Sequence, residues 1–163
     1  MKLPKRITKD STIGIIAPAS PKPKQEIDEK LSSFSSLGFK IKKGNHLYDS
    51  HGYLAGKDMD RAEDLNLMYS HKEVDAILCY RGGYGTMRMM PYVNYNLLYN
   101  NLKIFVGYSD LTIFLNYISD RFKTITFHGP MASSDFSEEY TRNSFLKTLM
   151  EGYEPYTILN PEN

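Results

Sequence analysis

Two short stretches hold residues whose types and spacing can do chemistry. The first is G-Y-S-D, Gly107–Asp110, where the apolar run Ile104–Val106 stops and a helix-like pattern begins. A serine on a tight strand-to-helix turn can be a nucleophile, with the next backbone N–H facing an oxyanion. The same serine can instead be a helix N-cap, with Asp110 in the first turn suiting the helix dipole. The elbow pattern G-x-S-x-G asks for glycine at its fifth position, and Leu111 stands there. Both readings stay open on spacing alone. The second stretch is R-G-G-Y-G, Arg81–Gly85, directly after the apolar run Val74–Tyr80. Glycines reach positive φ freely, so such a loop can converge its N–H groups on a phosphate or an oxyanion. It can equally be a plain tight turn. It is a poor dinucleotide fingerprint, because Arg88 stands where the third glycine belongs.

A serine hydroxyl is a weak nucleophile without a base, and that base needs an orienting partner. Of the four histidines, His46, His51 and His71 precede the serine, in polar loops or near a helix end. His128 ends the strand-like run Thr124–His128, on the same side of the sheet as the serine turn. A Ser109–His128 pair with a carboxylate from Asp110, Asp135, Glu138 or Glu139 is one arrangement. Anchoring a loop or lining the site floor is the other use of a histidine in F-H-G-P. There is no HExxH or CxxC and no evident metal-spaced cluster. Cys79 lies inside an apolar run and reads as core. Tyr92, Tyr95 and Tyr99 read as a packing face.

Strands and helices in alternation must position these loops. Thr12–Ala19 is a mostly apolar run, as expected of a strand buried on both faces. Ile27, Leu31, Phe34 and Leu37 make one helical face, and Gly38 is a natural stop. Phe39–Lys43 alternates like an edge-proximal strand. Asp58–Tyr69 reads as a helix, with Asp60 and Glu63 spaced as a capping box. Short helices are expected before Pro91 and over Asn94–Asn100. Leu111, Phe114, Leu115, Ile118 and Phe122 form the helix face after G-Y-S-D, and Glu138–Met150 forms the last helix. The pattern predicts a three-layer α/β domain, Rossmann-like or flavodoxin-like, with a mostly parallel sheet. Ligands bind such folds at the carboxyl ends of the strands. The loops after Ala19, at Arg81–Gly85 and at Gly107–Asp110 all fall there.

The totals agree with one soluble domain. The 163 residues carry 20 basic and 19 acidic side chains, so nothing points to nucleic acid. Cys79 is the only cysteine, which excludes an intrachain disulfide and makes the cytoplasm the expected location. No run approaches the roughly 20 apolar residues of a membrane span. Residues 1–152 read as the domain, and 153–163 as the start of a linker or the first strand of something further.

Five ordered blocks resemble one family: I-I-A-P-A-S, G-Y-L-A-G-x-D-x-x-R-A-x-D-L-N, R-G-G-Y-G-x-x-R, K-I-F-V-G-Y-S-D-L-T and T-F-H-G-P-M. From about Thr12 to Met131 the sequence is similar to the amino-terminal half of the LD-carboxypeptidases. These are serine peptidases of the murein tetrapeptide carboxypeptidase and microcin-immunity type. The resemblance implies that Ser109 is the nucleophile. It implies that the Asp110 N–H and a glycine N–H, Gly83 with Gly82 as the alternate, form the oxyanion hole. Arg81, Tyr84 and His128 are candidate substrate contacts beside them. The reaction implied is hydrolysis of the bond to a terminal D-residue, as in murein tetrapeptides during cell-wall recycling, without metal or organic cofactor. The family's triad glutamate and histidine lie in its carboxyl-terminal domain, and no residue here matches them. The isolated chain is therefore expected to be inactive, with an exposed docking face that favours self-association, for example a homodimer. A microcin-type peptidyl-nucleotide substrate, or a non-catalytic Rossmann-like binding module, are the alternatives.

Overall fold

A computed structural model describes residues 1–152. The linker expected over 153–163 lies outside the described residues. Five strands form a single sheet: β1 (Thr12–Ile16), β2 (Lys40–Lys43), β3 (Val74–Cys79), β4 (Ile104–Gly107) and β5 (Phe127–His128). Their order is β2-β1-β3-β4-β5, and every pairing is parallel. This is the flavodoxin-like order, so the structure chooses between the two expected topologies. The order reverses between β1 and β3, and the crevice beyond their carboxyl ends is the usual ligand site.

The strands read as continuous apolar runs because both faces are covered. Side chains alternate between two cores. Ile13, Ile15, Ala76, Leu78, Ile104 and Val106 face one core, shared with Ile27, Leu31 and Phe34 of α1 (Lys24–Ser35) and Phe145 of α6 (Glu139–Leu146). Ile16, Ile77, Cys79 and Phe105 face the other, with Leu65 and Met68 of α2 (Asp58–Ser70) and Phe114, Leu115 and Ile118 of α5 (Thr112–Phe122). Cys79 is fully buried, and burial pushes its thiol pKa up, as expected of a core residue. Two short helices, α3 (Thr86–Met89) and α4 (Tyr95–Asn100), complete the second layer.

Three local readings need correction. The capping box does not form, since α2 starts at Asp58 after Lys57 and lacks a side-chain cap. The Asp58 carboxylate serves Arg61 and Arg88 instead. The strand expected over Thr124–His128 pairs in the sheet only at its last two residues, while Thr124 bridges to Lys2. The last helix ends as α6 at Leu146 and continues in a wider turn, Lys147–Glu151.

Candidate active site

The backbone at Ser109 separates the two readings of G-Y-S-D. An N-cap serine has extended φ and its hydroxyl accepts an N–H of the first helical turn. Ser109 instead sits at φ 63°, in the left-handed region, and its hydroxyl has no hydrogen-bond partner among the described residues. It opens a 3-10 turn, Ser109–Leu111, that leads into α5. Only Lys123 shares a positive φ among the described non-glycine residues. Such a conformation costs a β-carbon residue about 1–2 kcal/mol. It is a strained strand-to-helix turn of the kind a nucleophile elbow needs, with an exposed serine at the end of an interior parallel strand.

The glycine loop lies against this turn. A Cβ added at Gly82 would fall 2.9 Å from the Ser109 Cβ and 3.1 Å from its Oγ, so only glycine allows the approach. Gly83 has φ 132°, and a Cβ there would run into the Ser20 side chain. Neither Gly82 nor Gly83 N–H has an acceptor among the described residues. The Asp110 N–H lies in the first turn of its helix, where no intrahelical acceptor exists. Its carboxylate accepts the Thr86 N–H at 2.8 Å.

Other expected contacts are placed as follows. Tyr84 is half exposed, packs edge-on against Tyr53 at 5.6 Å, and donates its N–H to Ser20 Oγ at 3.2 Å. Arg81 is half-buried and donates to the Pro21 carbonyl. His128 is exposed and registers beside Gly107 on the neighbouring strand. Its ring lies 6.0 Å from that of Tyr108, and no hydrogen bond joins it to Ser109. The rings of His46 and His71 are engaged elsewhere, with Asp49 and Glu73, while His51 pairs through its backbone with Leu54. The described residues therefore assemble an elbow serine and N–H donors, with no histidine bonded to the serine.

Sequence reasoning quoted Arg61 inside a block without giving it a task. Its side chain is fully buried, and its guanidinium donates to the carbonyls of Pro18, Gly56 and Gly85 and to the Asp58 carboxylate. One side chain thus ties the loops after β1, before α2 and after β3. Burial pulls its pKa down while Asp58 pushes it up. The available signal was a cation in line with Leu65 and Met68 on an otherwise apolar stripe. The loop before α2 also folds around Asp64, whose buried carboxylate accepts the His46 N–H at 3.1 Å. Burial raises the Asp64 pKa to about 6. His46, Asp49 and Asp60 bring metal-capable atoms within 4.8 Å of one another, a grouping that spacing did not reveal. His46 and Asp49 already satisfy each other at 2.7 Å.

A left-handed serine at a parallel-strand end, beside glycine N–H groups that have no acceptor among the described residues, gives this α/β domain elbow-like geometry. The chain matches the LD-carboxypeptidase N-terminal domain over residues 13–129 and belongs to that family. It is 39% identical over 158 residues to the Bacillus subtilis "Probable murein peptide carboxypeptidase", covering 94% of this chain and 50% of that protein. It is 29% identical to the Escherichia coli microcin C7 self-immunity protein MccF, covering 90% of this chain and 46% of that one. The apo structure of MccF superimposes with a TM-score of 0.89 at 26% identity, over 98% of this chain and 51% of its own. The chain spans about half the length of the curated relatives it matches. Among the described residues, no helix is long and apolar enough to cross a membrane.

Proposed function

We propose that this chain supplies the nucleophile and oxyanion hole of a serine LD-carboxypeptidase that removes the terminal D-residue from murein tetrapeptides in the cytoplasm. Ser109 Oγ attacks the carbonyl carbon of the bond to the D-residue. The Asp110 and Gly83 N–H groups hold the oxyanion, while Gly82 provides the close approach and is the alternate donor. A histidine–glutamate pair from the family's carboxyl-terminal half accepts the serine proton and returns it to the departing amine. Water then hydrolyses the acyl-enzyme by the same route. Arg81, Tyr84 and His128 border the substrate. The reading calls for no metal or organic cofactor. It is carried by one observation, the exposed Ser109 held at φ 63° beside glycine N–H groups without acceptors.

The murein substrate rests on the 39% identity to the Bacillus subtilis protein. The likeness to MccF favours a second reading, cleavage of a peptidyl-nucleotide antibiotic; one MccF structure holds aspartyl sulfamoyl adenosine. The test measures D-alanine release from L-Ala-γ-D-Glu-diamino acid-D-Ala. One arm is the 163-residue chain, and the other is the chain fused to the carboxyl-terminal half of the Bacillus subtilis relative. Turnover by the fusion alone is expected. Ser109-dependent turnover by the chain by itself would contradict the division of the triad and promote His128. Cleavage of an aminoacyl sulfamoyl nucleoside in preference to the tetrapeptide would select the second reading.

A further inference from the structure

The two sides of the proposed oxyanion hole belong to different crossovers of the sheet, the turn after β4 and the loop after β3. They are joined indirectly through the segment after β5, where the Gly129 N–H donates to Gly107 and the Ala132 and Ser133 N–H groups donate to Cys79 and Tyr80. Backbone ladder bonds join β3 to β4 only along Ala76–Leu78 and Ile104–Val106, before either loop begins. Beyond that point Gly82 packs on Ser109 with no side chain of its own. Among the described residues one hydrogen bond joins the two directly: the Asp110 carboxylate accepts the Thr86 N–H at 2.8 Å. Thr86 is fully buried and its hydroxyl has no partner among the described residues. Thr86 opens α3 directly after Gly85, whose φ is 120° and whose carbonyl is held by Arg61 at 2.9 Å. The glycine loop is thus fixed to the β1 side by Arg61 and Ser20, and to the β4 side by Asp110.

We propose that the Asp110 carboxylate is a positioning residue, which sets the Gly82–Gly83 N–H groups against the Asp110 N–H by clamping Thr86. The proposal rests on the serine-peptidase reading above. It assigns Asp110 two separate tasks: its backbone N–H belongs to the hole, and its side chain sets the hole's geometry. A carboxylate accepting a backbone N–H makes a stronger bond than a neutral acceptor. Misplacing a donor by about 1 Å can cost about 100-fold in rate. Side-chain substitution leaves the Asp110 N–H in place, so the two tasks can be measured apart.

The experiment compares Asp110→Ala, Asp110→Asn and Ser109→Ala, with thermal melting recorded for each. In the 163-residue chain, amide exchange of Thr86 is expected to be protected in the wild type and in Asp110→Asn, whose side-chain oxygen accepts the same bond. Asp110→Ala loses that protection and shifts the Gly82 and Gly83 amide resonances. In the fusion that releases D-alanine, Asp110→Ala loses about 100-fold in kcat with KM changed by less than about 3-fold, and Asp110→Asn recovers most of it. Should Asp110→Ala fail to fold, Asp110→Glu puts the same question, since it keeps the charge and displaces the oxygen. Its kcat is expected below that of Asp110→Asn. Unmoved Gly82 and Gly83 amides, wild-type kcat in Asp110→Ala, or an equal fall in the Asn and Ala variants (in the Glu variant no lower than Asn) would overturn the proposal. Full turnover in Ser109→Ala would instead sink the serine reading, and the amide data would still decide whether the clamp exists.

Discussion

Ser109 carries its β-carbon in a conformation that glycine occupies at little cost, and Ser109→Ala and Ser109→Gly both remove the hydroxyl. Their difference isolates the strain. Ser109→Gly is expected to be the more stable of the two by about 1 kcal/mol, or roughly 2–4 °C in melting temperature for a chain of this size. Equal melting points would mean that the turn relaxes out of the left-handed region. This strain was not legible in the sequence. G-Y-S-D fits a cap and an elbow equally, and φ is set by how β4 and α5 meet rather than by the four residues. Asp64 gives a second expectation at this scale. Its folded pKa is raised from 3.8 to about 6, chiefly by burial. The folded chain therefore keeps a proton, between about pH 4 and 6, that the unfolded chain has released. Stability falls as pH rises through that window, by about 2–3 kcal/mol in all. His46, raised by its bond to Asp49, adds a loss of the same sign as pH climbs past its ordinary range. Denaturant melts from pH 4 to 7 should show this slope in the wild type and a flatter one in Asp64→Asn. A wild type that gains stability over the same range would contradict it.

The loops depend on elements whose own sequences are informative to different degrees. Ile13–Ile16, Val74–Cys79 and Ile104–Val106 were legible as strands because covering both faces leaves no polar alternation. The stripes of α1 and α5 were legible because each faces one core. β5 was legible as a strand but read too long, since only Phe127 and His128 reach the sheet. Arg61 escaped notice because its partners are carbonyls in three loops far apart in sequence, and carbonyls leave no sequence signature. Arg61→Met would take the side-chain donor from the Pro18 and Gly56 carbonyls and weaken the hold on Asp58 and Gly85, which keep the Arg88 side chain and the Arg88 and Met89 N–H groups respectively. The expected cost is about 3–5 kcal/mol, roughly 10 °C in melting temperature. A loss under about 1 kcal/mol would mean that the loops hold one another without it.

At the scale of the whole molecule, the candidate site opens at the carboxyl end of the sheet, and large apolar side chains stand exposed around it. Tyr53 is 62% exposed, Met87 60% and Tyr84 50%. The relatives it matches are about twice as long, and on the proposed reading a carboxyl-terminal half would approach this end. The isolated chain is accordingly expected to self-associate, with an apparent mass in light scattering that rises with concentration and falls when the fusion partner is present. A concentration-independent monomer would contradict that. The parallel sheet and the side of it that carries the site follow from alternating elements and were legible in the sequence, whereas the strand order was settled only by the structure. A catalytic base outside these residues is an expectation from the family resemblance alone, and among the described residues none of the four histidines is hydrogen-bonded to Ser109. The central claim is that Ser109 is the nucleophile. It is tested most directly by treating the fusion with a serine-directed phosphonate and mapping the adduct by mass spectrometry. The account predicts one adduct, on the peptide that contains Ser109, absent from Ser109→Ala. An adduct on another residue, or none in a protein that still releases D-alanine, would contradict it.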